Sequence, residues 1–456
     1  MEQIKENKMG TQKMLPLLLS MSLPAMFSML VQALYNIVDS VFVSRLGVDA
    51  LAAVSLAFPI QTLMISVAVG TGVGINSLIS RRLGERRFEE ANKAASHGIF
   101  LGLFSWIPFL LFGFFFSEAF MRMFSGNENV VRMGVDYLSI VSIFSGGCLV
   151  EICCEKILQA TGNMVYPMLF QLSGAITNII LDPVFIFGYL GVPAMGVAGA
   201  AIATVIGQIV SMVFALLVLC FKEHHVKIEL KGFRFEWRTI REIYAVGLPS
   251  IVMQAISAFL NMGLNGILAG FSDTAVAVLG AYYKLQSFIF MPAFGMNQGL
   301  MPILGYNYGA RKKSRFLSAT RLGAVFMVGL MALGVLLFVL FPEPLLNIFK
   351  ESGQAAADAE LLRIGVPALR IISLSFLPAA FGILFSTVFQ ATGKGIQSLV
   401  VSLLRQMIIL LPAAWLLSLT GEVTNVWFAF PVAEILACFV SIWMFWNLYR
   451  KHLKNL

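Results

Sequence analysis

Charge is scarce in this 456-residue chain: Asp, Glu, Lys and Arg make up 12% of it, against about 25% in an ordinary soluble domain. With 58% hydrophobic residues and a mean hydropathy of +0.84, a water-soluble fold has too little interior to hide the apolar surface. A soluble enzyme and a nucleic-acid binder are thereby excluded. Cysteine is also sparse. Cys148, Cys153, Cys154, Cys220 and Cys438 lie in or beside apolar stretches. They lack zinc-like spacing, so they read as packing residues. No Gly-Lys-Ser/Thr follows any glycine run, which excludes a nucleotide-binding P-loop. Apolar and polar residues do not alternate, which excludes a β-barrel. No nucleophile–base pair or metal-ligand constellation supports an enzyme. Met1–Lys13 mixes lysines with glutamates ahead of a long apolar run and does not read as a cleavable signal.

What the sequence does have is long apolar runs. A membrane span needs about 20 residues, and twelve such runs are present: 15–43, 51–79, 93–117, 131–159, 163–188, 196–221, 241–269, 275–304, 315–341, 361–391, 396–418 and 424–449. The formal charge is +8, and 24 of the 32 Lys and Arg fall in the two termini, in the even-numbered loops, or at the inner end of span 4 (Lys156). The other side has Arg45, Arg122, Arg132, Lys350 and Arg363, while Lys284, Arg370 and Arg405 lie within spans. By the positive-inside rule both termini are expected in the cytoplasm, as an even span count requires.

The chain is a tandem repeat. Residues 24–98 align with 249–323 without a gap, matching Pro24 to Pro249, Asn36 to Asn261, Gln61 to Gln286, Gly70 to Gly295, Gly74 to Gly299 and Arg86 to Arg311. Gln159-Ala160-Thr161-Gly162 recurs as Gln390-Ala391-Thr392-Gly393. Each copy holds an even number of spans, so the copies share one orientation about an axis along the membrane normal. The expected fold is all-α, with twelve transmembrane helices in two pseudo-symmetric six-helix bundles around a central cleft. The bundles are 1–221 and 241–456, with a cytoplasmic linker at 222–240. The glycine run Gly70–Gly74 resembles a phosphate loop, but inside a span it reads as a close helix-packing face.

An ionisable side chain within a span costs several kcal/mol and is a functional hypothesis by default. Asp39 lies near the outer end of span 1, on a polar stripe with Asn36, Tyr35 and Gln32. Asp182 lies in the outer part of span 5, with Asn178 one turn away on the same face. Pro183 cannot donate to the Ile179 carbonyl, which leaves an oxygen free beside the carboxylate. Such an oxygen-rich set suits Na⁺, or a proton shared between carboxylates. The plain alternatives are an Asp39–Arg45 pair at the interface and an Asp182 that ends a helix. The repeat counterparts of the two acids are Leu264 and Ala413, so the ion chemistry is confined to the first half.

In the second half, helical counting puts Lys284, Arg405 and Glu434 at similar depth, either as a mutually neutralised cluster or as a cargo contact. Glu151 and Glu155 lie one turn apart near the inner end of span 4, beside Lys156, either solvated at the inner mouth or touching cargo. The repeat pair Gln61 and Gln286 completes the substrate or gating candidates. The histidines His97, His224, His225 and His452 carry no signal. The 23 Met and 39 Phe suit a promiscuous cleft for apolar cations and equally suit ordinary packing.

The ordered set Gln159–Gly162 with Pro167, Asn178-Ile-Ile-Leu-Asp182-Pro183, Gly199-Ala-Ala-Ile-Ala-Thr204, Pro292–Gly295, Gly305-Tyr-Asn-Tyr-Gly-Ala310 and Gln390–Gly393 resembles the multidrug and toxic compound extrusion (MATE) transporters over all twelve spans. The resemblance implies a bacterial cell-membrane antiporter that exports small cationic amphiphiles in exchange for Na⁺ or H⁺ by alternating access. It implies no cofactor, and a monomer in the lipid bilayer. It also implies a cation site of Asp39, Asn178, Asp182 and, by motif, Thr204, with Asp39, Asn178 and Asp182 as the ligands should the ion be Na⁺. A second branch of the family uses acids on spans 7, 8 or 10; here only Glu242 and Glu360 lie near those span ends, so that mechanism does not fit. The rival readings are a lipid-linked precursor flippase of the same superfamily and an uncoupled channel.

Overall fold

The computed structural model describes residues 7–222, 224–229, 233–349 and 355–454; Lys5, Lys231 and Lys350 lie outside them. Apolar chain in a bilayer must satisfy its backbone internally, and helices are the solution adopted throughout. The spans are α1 (Met14–Ser44), α2 (Val48–Gly84), α3 (Phe88–Phe115), α4 (Glu128–Ile143 with Gly146–Ala160), α5 (Val165–Phe187) and α6 (Val197–Phe221). The second half continues with α7 (Trp237–Ala269), α8 (Asp273–Gly309), α9 (Lys313–Leu340), α10 (Ala355–Ser373 with Phe376–Ala391), α11 (Gly395–Ser418) and α12 (Val423–Leu453).

Among the described residues nine helices are long and apolar enough to cross a bilayer, and the two bent pairs bring the number to eleven. The twelfth is α8, the repeat partner of α2, with 37 residues; Lys284, Gln286, Asn297, Gln298 and Asn307 dilute its apolarity. The repeat extends to backbone detail. α4 and α10 bend at equivalent breaks, by 44° and 48°. Each then ends at a left-handed glycine, Gly162 (φ +91°) and Gly393 (φ +80°), a conformation glycine adopts without steric cost. Arg86 and Arg311, also repeat partners, both take positive φ, +61° and +56°.

The apolar interior falls into three clusters. One draws on both halves, from Leu17, Ile75 and Leu158 to Leu300, Leu384 and Val388. The other two stay apart: Leu264, Tyr282 and Phe376 lie in the second half, and Val43, Tyr137 and Val197 in the first. The lobes therefore join at one end and diverge at the other. The joined end gathers the basic loops and the chain termini, as shown by Arg82 to Glu242 (2.5 Å), Arg315 to the Gln12 carbonyl (2.8 Å) and Lys313 to the Lys454 carbonyl (2.9 Å).

Glycines set the seam. A Cβ on Gly70 would stand 2.4 Å from the Ile251 side chain, and one on Gly74 would stand 2.2 Å from the Ile243 carbonyl oxygen, both on α7. Their repeat partners Gly295 and Gly299 face Met26 and Ser22 of α1 at 2.6 and 2.7 Å. Each lobe thus presses a glycine face of its second helix onto the first helix of the other. The linker is no free tether. The Asn92 side chain accepts from the Lys227 backbone N–H at 2.8 Å, and Ser96 from that of Glu229 at 2.9 Å. His97 Nε2 accepts from the Glu236 N–H at 2.8 Å while Nδ1 lies 2.7 Å from the Lys93 carbonyl. This buried histidine, silent in the sequence, pins the linker to α3.

Candidate functional site

The first lobe brings Asn178, Asp182 and Thr204 together where α5 crosses α6. All three are buried, Asp182 at 0% exposure. Asn178 lies 3.4 Å from Asp182 and 3.2 Å from the Thr204 hydroxyl. The amide orientation that satisfies both ends donates to Asp182 Oδ2 at 2.9 Å and accepts from the Thr204 N–H at 3.0 Å. α5 runs on through Pro183 to Phe187, so Asp182 does not end a helix.

Asp39 comes from α1, which packs against α5. It is half-buried, within electrostatic range of Asp182, and makes no ion pair with Arg45 among the described residues. Its buried Oδ1 has no hydrogen-bond partner there. Tyr35, one turn away, lies within the field of both aspartates. Tyr137 of α4 closes the set: it lies within the field of both aspartates and accepts a hydrogen bond from Gln61 at 3.0 Å. Gln32 and Asn36 are exposed. The arrangement places two carboxylates, one with a partnerless oxygen, beside an amide and hydroxyls in low-dielectric surroundings. It can hold a small cation or a proton.

The second half does not form the expected three-member cluster. Arg405 lies on a π-helical stretch, Leu404–Leu410, and pairs with Glu434 at 3.5 Å. Lys284 is exposed and stands 5.8 Å over the Phe349 ring instead. Similar depth along three helices says nothing about which faces they turn, and here the face of α8 that carries Lys284 points elsewhere. Gln406, next to Arg405, accepts from Ser257 at 3.2 Å. Gln286, half-buried, makes no hydrogen bond among the described residues.

Glu151 and Glu155 are not solvated. They are 8% and 2% exposed, with Lys156 at 4%. The Lys156 ammonium donates to Glu155 at 3.0 Å, to Gln159 at 3.0 Å, and across the seam to Gln298 of α8 at 2.9 Å. Gln171 of α5 donates to the other Glu155 oxygen at 2.9 Å. The acids are buried within the first lobe, and it is Lys156 and Gln159 beside them that reach across the seam to Gln298. Tyr137, Gln171 and Gln298 escaped the sequence reading; the paired amides Asn297-Gln298 inside a span were the available signal for the last.

The MatE family profile matches this chain twice, over residues 24–184 and 249–416, one match in each repeat. The chain belongs to the MatE family of multi-pass membrane transporters and is not an enzyme. It is 27% identical to a FAD transporter of Shewanella oneidensis over 92% of this chain and 93% of that one. It is 24% identical to the multidrug export protein MepA of Staphylococcus aureus over 92% and 91%. Among solved structures it resembles a multidrug resistance MATE family transporter of the MOP superfamily in an outward-facing conformation (TM-score 0.91, 27% identity, 99% of each chain). It also resembles a MOP superfamily transporter from Pyrococcus furiosus, described as having a binding pocket of reverse polarity that suggests a different function (TM-score 0.90, 26% identity, 98% and 99% of the chains).

Proposed function

We propose that this transporter is a secondary active antiporter exporting organic cations in exchange for Na⁺ or H⁺, with the coupling ion held by Asp39, Asn178, Asp182 and Thr204. The observation that carries the reading is the buried Asp182–Asn178–Thr204 set facing an Asp39 carboxylate whose inner oxygen lacks a partner. An ion drives a conformational switch only through different affinity for the two states. Inverting a population from 1:99 to 99:1 needs about 5.5 kcal/mol of such preference. Carboxylates on two different helices, α1 and α5, supply it when one state brings their oxygens together around the ion and the other separates them.

The positive-inside rule places the joined, basic end in the cytoplasm, so the lobes diverge toward the outside and the conformation is outward-facing. Cation entry at the first-lobe site reshapes α1 and α5, expels cargo outward and prepares the return. The protein works as a monomer in the bacterial cell membrane. Replacing either acid by its amide, Asp39→Asn or Asp182→Asn, is expected to abolish ethidium efflux from cells while membrane insertion is retained; wild-type efflux in both variants would reject the ion site. Dye accumulation in proteoliposomes under an imposed Na⁺ or H⁺ gradient identifies the ion, and uphill transport excludes a channel. The Shewanella relative and the partly exposed Arg405 make FAD a useful anionic member of the cargo panel.

A further inference from the structure

We infer that Glu151 and Glu155 form the capture site for the cationic head of the cargo at the cytoplasmic side, and that Lys156 fills this site from within while the lobes are shut. The inference rests on the antiport reading and its orientation. Its warrant is a charge imbalance beside the seam. Two buried carboxylates one turn apart on α4 share the field of a single ammonium, which pairs with only one of them. Lys156 satisfies Glu155, but Glu151 Oε1 is buried without a hydrogen-bond partner among the described residues. One further positive group would balance the pair.

The ammonium is also held in a way that a lobe movement undoes. Of its three acceptors, Glu155 and Gln159 travel with α4, while Gln298 belongs to α8 of the other lobe. The lysine stem lies over Gly72 of α2, where a Cβ would stand 2.5 Å from the lysine Cγ. A glycine thus leaves the slot that the stem occupies. When the lobes part at this end, Gln298 withdraws and the slot opens toward the cytoplasm. Lysine is a compact charge on a flexible stem, so it can swing aside and let an ammonium, phosphonium or ring-delocalised cation take its place against both carboxylates. Shutting the lobes then returns Lys156 to the acids after the cargo has moved on. The site selects for positive charge and for a head no bulkier than the slot admits.

The test measures ethidium binding to the purified full-length protein in nanodiscs, with no ion gradient, and entry of ethidium into inside-out vesicles. Lys156→Met is expected to bind ethidium severalfold more tightly than wild type, because it removes the internal competitor. Unchanged or weaker binding by a folded Lys156→Met protein overturns the inference. Removing one partner of a buried pair also costs stability, so Glu151→Gln, which leaves the Lys156–Glu155 pair intact, is measured beside it. It is expected to weaken ethidium binding severalfold, and wild-type affinity there is equally fatal. Failure of ion coupling reads out differently, as gradient-independent transport with capture unaltered. A wild-type protein that binds neither ethidium nor tetraphenylphosphonium removes the capture site and the cationic-cargo reading together.

Discussion

Tyr137 joins two parts of the first lobe that the chain keeps far apart. Its hydroxyl accepts from Gln61 of α2 while its ring lies within the field of Asp39 and Asp182. Tyr137→Phe removes one buried hydrogen bond, worth about 1 kcal/mol. Efflux is expected to slow about fivefold without loss of the folded protein, since the ring and its packing remain. Steady-state ethidium efflux in cells, normalised to membrane content, checks it. The aspartates themselves were visible in the sequence because an acid inside an apolar run is costly and therefore conspicuous. Tyr137 was not, because a tyrosine in a span is ordinary until its neighbours are known. The grouping of Lys284 with Arg405 and Glu434 failed for a related reason: counting residues gives depth along a helix but not the face that packing selects.

Helices are where the sequence was most legible, since a run of apolar residues in lipid has one backbone solution. The α4 and α10 breaks were not legible, as neither Phe144-Ser145 nor Leu374-Ser375 contains proline. Only the arrested hydrogen-bond ladder reveals them. The π-helical stretch around Arg405 was equally hidden; it lies where α11 packs on α7 and α12. The glycine run in α2 is the packing face its small residues suggest, and the helix it packs on lies in the other lobe. Gly74→Ala puts a methyl 2.2 Å from the Ile243 carbonyl oxygen, an overlap costing about 1–3 kcal/mol in the joined state only. The expected result is a folded protein whose seam opens more often. A cysteine at Ser77, fully buried in the seam, should then react faster with a small maleimide than it does on the wild-type background.

At the scale of the molecule, one apolar cluster is shared and the buried members of the other two each stay within one lobe, which makes the joined end the place where the two halves must trade most contacts. The repeat made this symmetry readable from sequence, whereas the state of the cleft had to be seen. Arg82 and Glu242 meet across the seam at 2.5 Å. With Arg82→Cys and Glu242→Cys joined by a short bifunctional maleimide, on a background where the exposed Cys220 is serine, transport is expected to stop and to recover when a cleavable linker is cut. Turnover continuing after complete cross-linking would show that this end never separates.

The docking of the linker on α3 bears on how such a separation is articulated. Through Asn92, Ser96 and His97, the backbone N–H groups of Lys227, Glu229 and Glu236 are tied to the first lobe. Among the described linker residues, the step nearest the second lobe on which its rotation would bear is that between the extended Glu236 and the first helical residue, Trp237. The pivot is a knuckle, not a leash.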